Sequence, residues 1–242
     1  MFKVSPPKSK GGKWTERVLH AFAGGTDGAI PNGGLVLDSN GAVYGTTLTG
    51  GNRGCQNSYG IGCGTAFKVT PPSRAHSIWQ ETMLHRFTGN ADGGSPLAGL
   101  TLSKNSDLSG TAGGGGSQGL GVVFQLVARS GGQWIESVLH NFTDNIHGRG
   151  PASPLAFDGL GDLCGSALGG EHFRGVLFRL SPRIGGTGWV FSDTYSFAGP
   201  PDGSYPLASL IYHLERVYST TQGGGIGQGC QGGSGAVFEA SP

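Results

Sequence analysis

The sequence predicts an all-β protein, a β-propeller of four blades with four antiparallel strands in each. Three observations predict it. Glycine supplies 49 of 242 residues, Asp, Glu, Lys and Arg together supply only 13%, and the four tryptophans stand at Trp14, Trp79, Trp134 and Trp189. A glycine inside a helix costs about 1 kcal/mol relative to Ala, and few windows here lack one. The glycines have no every-third-residue period, which excludes collagen. The charge is too sparse and too scattered for a charged disordered chain. Twelve Phe, four Trp and six Tyr are enough for a core, and no apolar run approaches the ~18 to 20 residues of a membrane span.

The tryptophan intervals are 65, 55 and 55 residues, and the segments superimpose as four units. We place them at residues 14–72, 79–129, 134–183 and 189–242 of a single domain, 1–242, with an extra strand in 1–13. The longer first interval carries an insertion, CQNSYGIGC, whose ends Cys55 and Cys63 a disulfide could close in an oxidising compartment.

Each unit then reads as four strands in order. First comes a run from Trp to Phe, such as WTERVLHAF, whose side chains alternate between two faces. A loop with Asp-Gly and a proline follows in most units. Next is a short apolar strand around Leu35, Leu100, Leu155 or Leu210, assigned to the axis. A tight turn such as Ser39-Asn40-Gly41 leads into a strand like VYGTT, as in a hairpin. A glycine-rich loop precedes the last run, which holds Phe67, Phe124, Phe178 or Phe238. Four such strands per ~40 to 60 residues make a propeller blade.

Four inner strands imply four blades, with the Trp14 strand joining the last blade and closing the ring. One strand is then surplus, because FKVSPP and VFEASP are copies of one element. A displaced arm, a strand exchanged between subunits and a fragment of a longer array each account for it.

Residues that recur could carry chemistry or merely build the fold. Asp27, Asp92 and Asp202 occupy equivalent loops, and His147 stands at the corresponding place in the third unit. Around an axis these four could bind a ligand or hold a divalent cation through oxygen and nitrogen donors. Their structural reading is a turn in which the carboxylate accepts local backbone hydrogen bonds. His20, His85 and His140 lie two residues before the Phe that ends the Trp strand, with Ser196 taken as the fourth-unit counterpart. A hydrogen bond repeated once per blade explains them better than a shared ion. GGGGSQGLG and GGGIGQG look like phosphate loops, but no helix follows to face an anion. Cys164 replaces the tyrosine of YGTT and is expected in the interior, while Cys230 sits in a glycine-rich loop.

The pattern FKVTPP, W-x-E-x-x-LH-x-F, DG-x-x-P, GL-x-LD-x-x-G, YGTT and GG resembles bacterial tandem-repeat proteins of the choice-of-anchor GloVer type. The first unit matches best, through Asp27, Gly28, Pro31, Leu35, Asp38, Gly41, Tyr44, Gly45, Thr46 and Thr47. The second unit has LSGT for YGTT; the third has LCGS and lacks the Asp-Gly pair. The resemblance implies repeat architecture and export to the periplasm or beyond, although no signal peptide is visible in this chain. It implies no particular reaction.

A net charge of +1, with its basic residues scattered, gives no footprint for nucleic acid. Membrane insertion is not expected either. The function expected is a non-catalytic binding or scaffold propeller that presents a loop-rich face to a protein or a glycan. Two alternatives differ in class: a metal-assisted lyase or hydrolase at the axis, and an accessory subunit of a larger assembly. No cofactor is required by the leading reading; a divalent cation is required by the first alternative.

Overall fold

The computed structural model describes residues 1–74, 76–227 and 234–241, and throughout them the runs of Val, Leu, Thr and aromatic residues form strands. The chain opens with β1 (Phe2–Ser5) and β2 (Thr15–Val18), which pair only with each other. The first sheet, in order, is β3 (Val36–Leu37), β4 (Val43–Thr47), β7 (Thr65–Thr70) and β8 (Gln80–Arg86). Within its insertion, β5 (Gln56–Asn57) and β6 (Gly60–Ile61) form a separate small hairpin. The second sheet is β9 (Thr101–Leu102), β10 (Leu108–Ala112), β11 (Val122–Ala128) and β12 (Trp134–Asn141). The third is β13 (Ala156–Phe157), β14 (Leu163–Ala167), β15 (Val176–Pro182) and β16 (Trp189–Ser196). The last sheet has three strands, β17 (Ile211–His213), β18 (Arg216–Thr220) and β19 (Val237–Ala240). All pairings within these sheets are antiparallel.

The architecture is therefore all-β, with repeated antiparallel sheets and two single-turn 3-10 segments at Gly25–Asp27 and Ser130–Gly132. The expected ring closure is not what forms. The Trp14 strand pairs with the Phe2 strand instead of completing the last sheet, from Phe2 opposite Val18 to Ser5 opposite Thr15. The physical reason is loop entropy: β1 and β2 are joined by the nine residues 6–14, whereas β19 lies at the other end of the chain. The surplus strand is thereby used, and β19 has no partner on its outer side among the described residues.

The second strand of each complete sheet is buried along its whole length, and the third nearly so. Strands covered on both faces need apolar or hydrogen-bonded side chains at every position. The outer strands β8, β12 and β16 instead mix covered and exposed positions. Each third–outer pair also carries a register shift at one equivalent place, just before Phe67, Phe124 and Phe178. Such a bulge re-aims the side chains beyond it.

Three apolar clusters bind successive sheets. One joins the first and second through Tyr44, Leu84, Phe87, Leu100 and Phe124. The next uses Val123, Phe142, Leu155 and Phe178, and the third uses Leu177, Phe197, Leu210 and Val217. At each junction the Phe that closes one outer strand meets the ring in the next sheet's third strand edge-on. Phe87–Phe124, Phe142–Phe178 and Phe197–Phe238 have centroids 5.0, 5.4 and 5.1 Å apart. Phe22 does the same to Phe67, at 4.9 Å, where the β1–β2 hairpin meets the first sheet.

Room for these rings comes from a glycine in the second strand, opposite the Phe in register at Gly45, Gly110 and Gly165. A Cβ at Gly110 would stand 2.6 Å from the Phe124 ring and 2.9 Å from Leu100. The last sheet has Ser219 at this place, and its Phe238 is only half-buried. The junctions also share a hydrogen bond from the second strand to the following unit. Thr46 donates to the Ala98 carbonyl at 2.8 Å, Thr111 to Ser153 at 3.1 Å, and Ser166 to Pro206.

Gly110→Ala should therefore lower stability by roughly 1 to 3 kcal/mol through overpacking. Gly186→Ala, whose nearest contact would be 3.8 Å away, should be close to neutral. Urea unfolding of both variants checks this, and equal midpoints would refute the packing argument.

Candidate functional site

The loops that follow the outer strands gather at one end of the sheets, beside the glycine-rich connections. Short bridges tie the two sets together: Ala29 to Thr49, Gly94 to Gly114, Arg149 to Leu168 and Ser204 to Gly223. All four predicted loop residues, Asp27, Asp92, His147 and Asp202, lie at this end, each in its own unit.

The carboxylates are engaged locally. Asp27 accepts the Ala23 N–H at 2.6 Å and lies 3.0 Å from His20 Nε2. Asp92 accepts the Thr88 N–H and hydroxyl and lies 3.0 Å from His85 Nε2. Asp202 accepts the Ala198 N–H at 2.7 Å and the Tyr195 hydroxyl at 2.5 Å. One motif thus recurs three times. A ring seven residues before the Asp donates to it or shares a proton with it, and the carboxylate closes the turn between them.

The fourth-unit partner is Tyr195, not Ser196, because Tyr195 is the residue two places before Phe197. It packs edge-on against that Phe at 5.1 Å, as His20, His85 and His140 do against theirs at 4.6, 4.7 and 4.9 Å. The spacing of seven from ring to acid was readable in the sequence and is the signal that would have paired them.

The third unit departs from the motif. With His147 where the acid belongs, His140 has no carboxylate to bond. It stacks instead on Phe191 of the next outer strand, with centroids 3.8 Å apart and planes 7° from parallel. Burial holds His140 well below its ordinary value, at about 4. His147 is exposed and pairs with Asp144, Nδ1 to Oδ2, at 2.9 Å. That hydrogen bond raises the imidazole, and the His147 N–H, together with that bond and the Ile146 N–H, lowers the carboxyl. Among the described residues no group of three or more His, Cys, Asp and Glu side chains is arranged to hold a metal ion.

Two acids escaped the sequence reading. Glu81 and Glu136, the Glu of W-x-E, each bury a carboxyl oxygen that has no hydrogen-bond partner among the described residues. Glu81 feels the charges of Asp27 and His20, and Glu136 feels that of Asp92. The acid of one outer strand therefore lies near the ring–acid motif of the preceding unit. Phe191 holds the same place in the fourth unit, which is why it meets His140.

The insertion stands on this loop-rich end. A disulfide joins Cys55 and Cys63, with Cα atoms 5.6 Å apart. It packs on the second unit's loop at Gly89, whose φ of +76° suits glycine and where a Cβ would strike both sulfurs. The hairpin exposes Tyr59 and Ile61. Beside it lies a cleft of about 450 Å³ bounded by Gly25, Gly50, Asn52, Arg53 and Ile61. Cys164 is buried and unpaired among the described residues, and burial chiefly pushes its thiol up to about 12. Cys230 and part of the 223–229 glycine stretch lie outside the described residues.

Residues 1–238 match the family described as the Gloeobacter/Verrucomicrobia repeat, and the chain belongs to that family. No curated protein matches the chain. No helix among the described residues is long and apolar enough to cross a membrane.

The buried acid between units has a pH signature. Burial, aided by the Asp92 carboxylate, pushes Glu136 up to about 7, whereas an unfolded Glu titrates near ~4.3. Between those values the folded chain keeps a proton that the unfolded chain has released. The contribution is fully present below the unfolded value and is lost as pH rises through about 7. Glu136→Gln should gain stability relative to the parent as pH rises from about 5 to about 8. Urea midpoints at both pH values check it, and a constant difference would refute it.

Proposed function

We propose that this member of the Gloeobacter/Verrucomicrobia repeat family is a non-catalytic binding scaffold. Its sheets are arranged in the manner of propeller blades, and its loop-rich end meets a protein or glycan partner outside the cytoplasm. The observation that carries this reading is the disulfide-braced hairpin of the insertion. It presents Tyr59, Ile61 and Arg53 on a rigid base, and Tyr and Arg are among the side chains that dominate binding energy at interfaces. A braced loop loses little conformational entropy on binding.

The recurring Asp, His and Tyr side chains support the same reading in another way. They are consumed in closing turns and in seating the Phe rings, so the differences between units are what a partner would read. The cleft beside Arg53 and the hairpin tip are such a difference at this end.

The test is a pull-down from the native cell envelope and a glycan array, with the parent protein and a Tyr59→Ala/Ile61→Ser/Arg53→Ala variant. A specific partner lost at least tenfold by the variant, with an unchanged melting curve, is the expected outcome. A partner held equally by both proteins would remove the hairpin end as the binding surface.

A further inference from the structure

The junction between the second and third sheets lacks a filling that the preceding junction has. Between the first and second sheets, the Trp134 ring meets Tyr44 with centroids 6.2 Å apart. The Tyr44 hydroxyl donates to Asp38 at 2.9 Å, and Lys68 Nζ lies 5.2 Å from the centre of its ring. Residues 99–112 repeat residues 34–47, which puts Ser109 at the place of Tyr44 and Ser103 at that of Asp38. Ser109 pairs with Gln125 as Tyr44 pairs with Lys68. By position in the repeat, Trp189, the counterpart of Trp134, therefore has two short polar residues where Trp134 has a phenol and its carboxylate partner.

A groove of about 580 Å³ results, within the ~300 to 1,000 Å³ range of small-molecule sites. One wall is aromatic, formed by Phe157 and Trp189, both half-buried. The other presents Lys104, Asn105, Asp107 and Gln125, whose side chains make no hydrogen bond among the described residues. Ser109 shares a sheet face with Asp107 and Gln125; it is fully buried, and its hydroxyl has no partner either.

Lys104 and Asp107 balance in charge, and Asp158, the third charged side chain on the lining, accepts the Leu160, Gly161 and Asp162 N–H groups and lies 4.0 Å from Arg179, so the groove offers little net field for an ion. Its chemistry is a flat apolar wall opposite uncommitted donors and acceptors. A pyranose ring matches both, with its C–H face on indole and its hydroxyls on the polar wall. We propose that this groove is a binding subsite for a neutral saccharide. It lies at the β9–β10 turn, the opposite end of the strands from the loop-rich surface, and does not rest on the function proposed there.

An array of neutral oligosaccharides built from glucose, mannose, galactose and N-acetylglucosamine supplies the probe, and calorimetric titration of the best-bound member supplies the readout. The parent protein should bind saturably. Trp189→Ala should bind roughly tenfold more weakly or worse, and Ser109→Tyr, which rebuilds the Tyr44 filling, should not bind. Trp134→Phe should leave binding unchanged. Silence of the parent across the array would overturn the proposal, as would parent-like affinity in Ser109→Tyr. Should Ser109→Tyr fail to fold by circular dichroism, Trp189→Ala with Gln125→Ala decides, and parent-like affinity in both overturns it. Binding that survives the groove variants but is lost in the hairpin variant would refute the groove and leave the loop-end function standing.

Discussion

The edge-to-face contact between a Phe at the end of one outer strand and a Phe in the next sheet's third strand is the interaction on which the remaining structure depends. It occurs at every junction, from Phe22–Phe67 to Phe197–Phe238. Such pairs contribute ~0.5 to 1.5 kcal/mol beyond the area they bury. Their geometry is narrow, because the glycine of the facing second strand leaves space for one ring and no more. The bulge before the third-strand Phe, the second-strand glycine and the inter-unit hydroxyl bond all serve this contact. In the last sheet Ser219 stands in the glycine's place and Phe238, on the strand without an outer partner among the described residues, is less covered, yet the contact with Phe197 is kept.

The same Phe links core to loop. Its far side receives His20, His85, His140 or Tyr195, and three of those rings are tied to the Asp seven residues on. The acid in turn closes the loop that leads to the next sheet. Chemistry that recurs is thus committed to holding the units in register. Chemistry that varies is free for recognition: the Tyr44, Ser109 and Cys164 series between sheets, and the insertion at the loop end.

Much of this was legible before any coordinates. The tryptophan period pointed to repeated sheets, and the Leu, VYGTT and Phe runs located their strands. Ring closure was not legible, because β1 and β19 are copies of one element and compete for the same partner. Sequence similarity carries no term for the loop entropy that favours the nearby copy. That Asp27, Asp92 and Asp202 each close a local turn was also unreadable, since a turn-closing Asp and a metal-ligating Asp are the same residue type. Taking Ser196 for Tyr195 hid the fourth unit's ring–acid pair, although the seven-residue spacing marked it. Glu81 and Glu136 were visible as a repeat, but their burial is decided by the neighbouring sheet, which no local pattern encodes.

A double-mutant cycle on Phe87 and Phe124, each changed to Leu, measures the central contact most directly. The two rings touch, so their effects should be non-additive, with a coupling energy of about 1 kcal/mol in urea unfolding. Phe87 and Phe178, which belong to different junctions, should add within ~0.3 to 0.5 kcal/mol. Additivity in both cycles would contradict the account and would mean that the sheets are held by apolar burial alone.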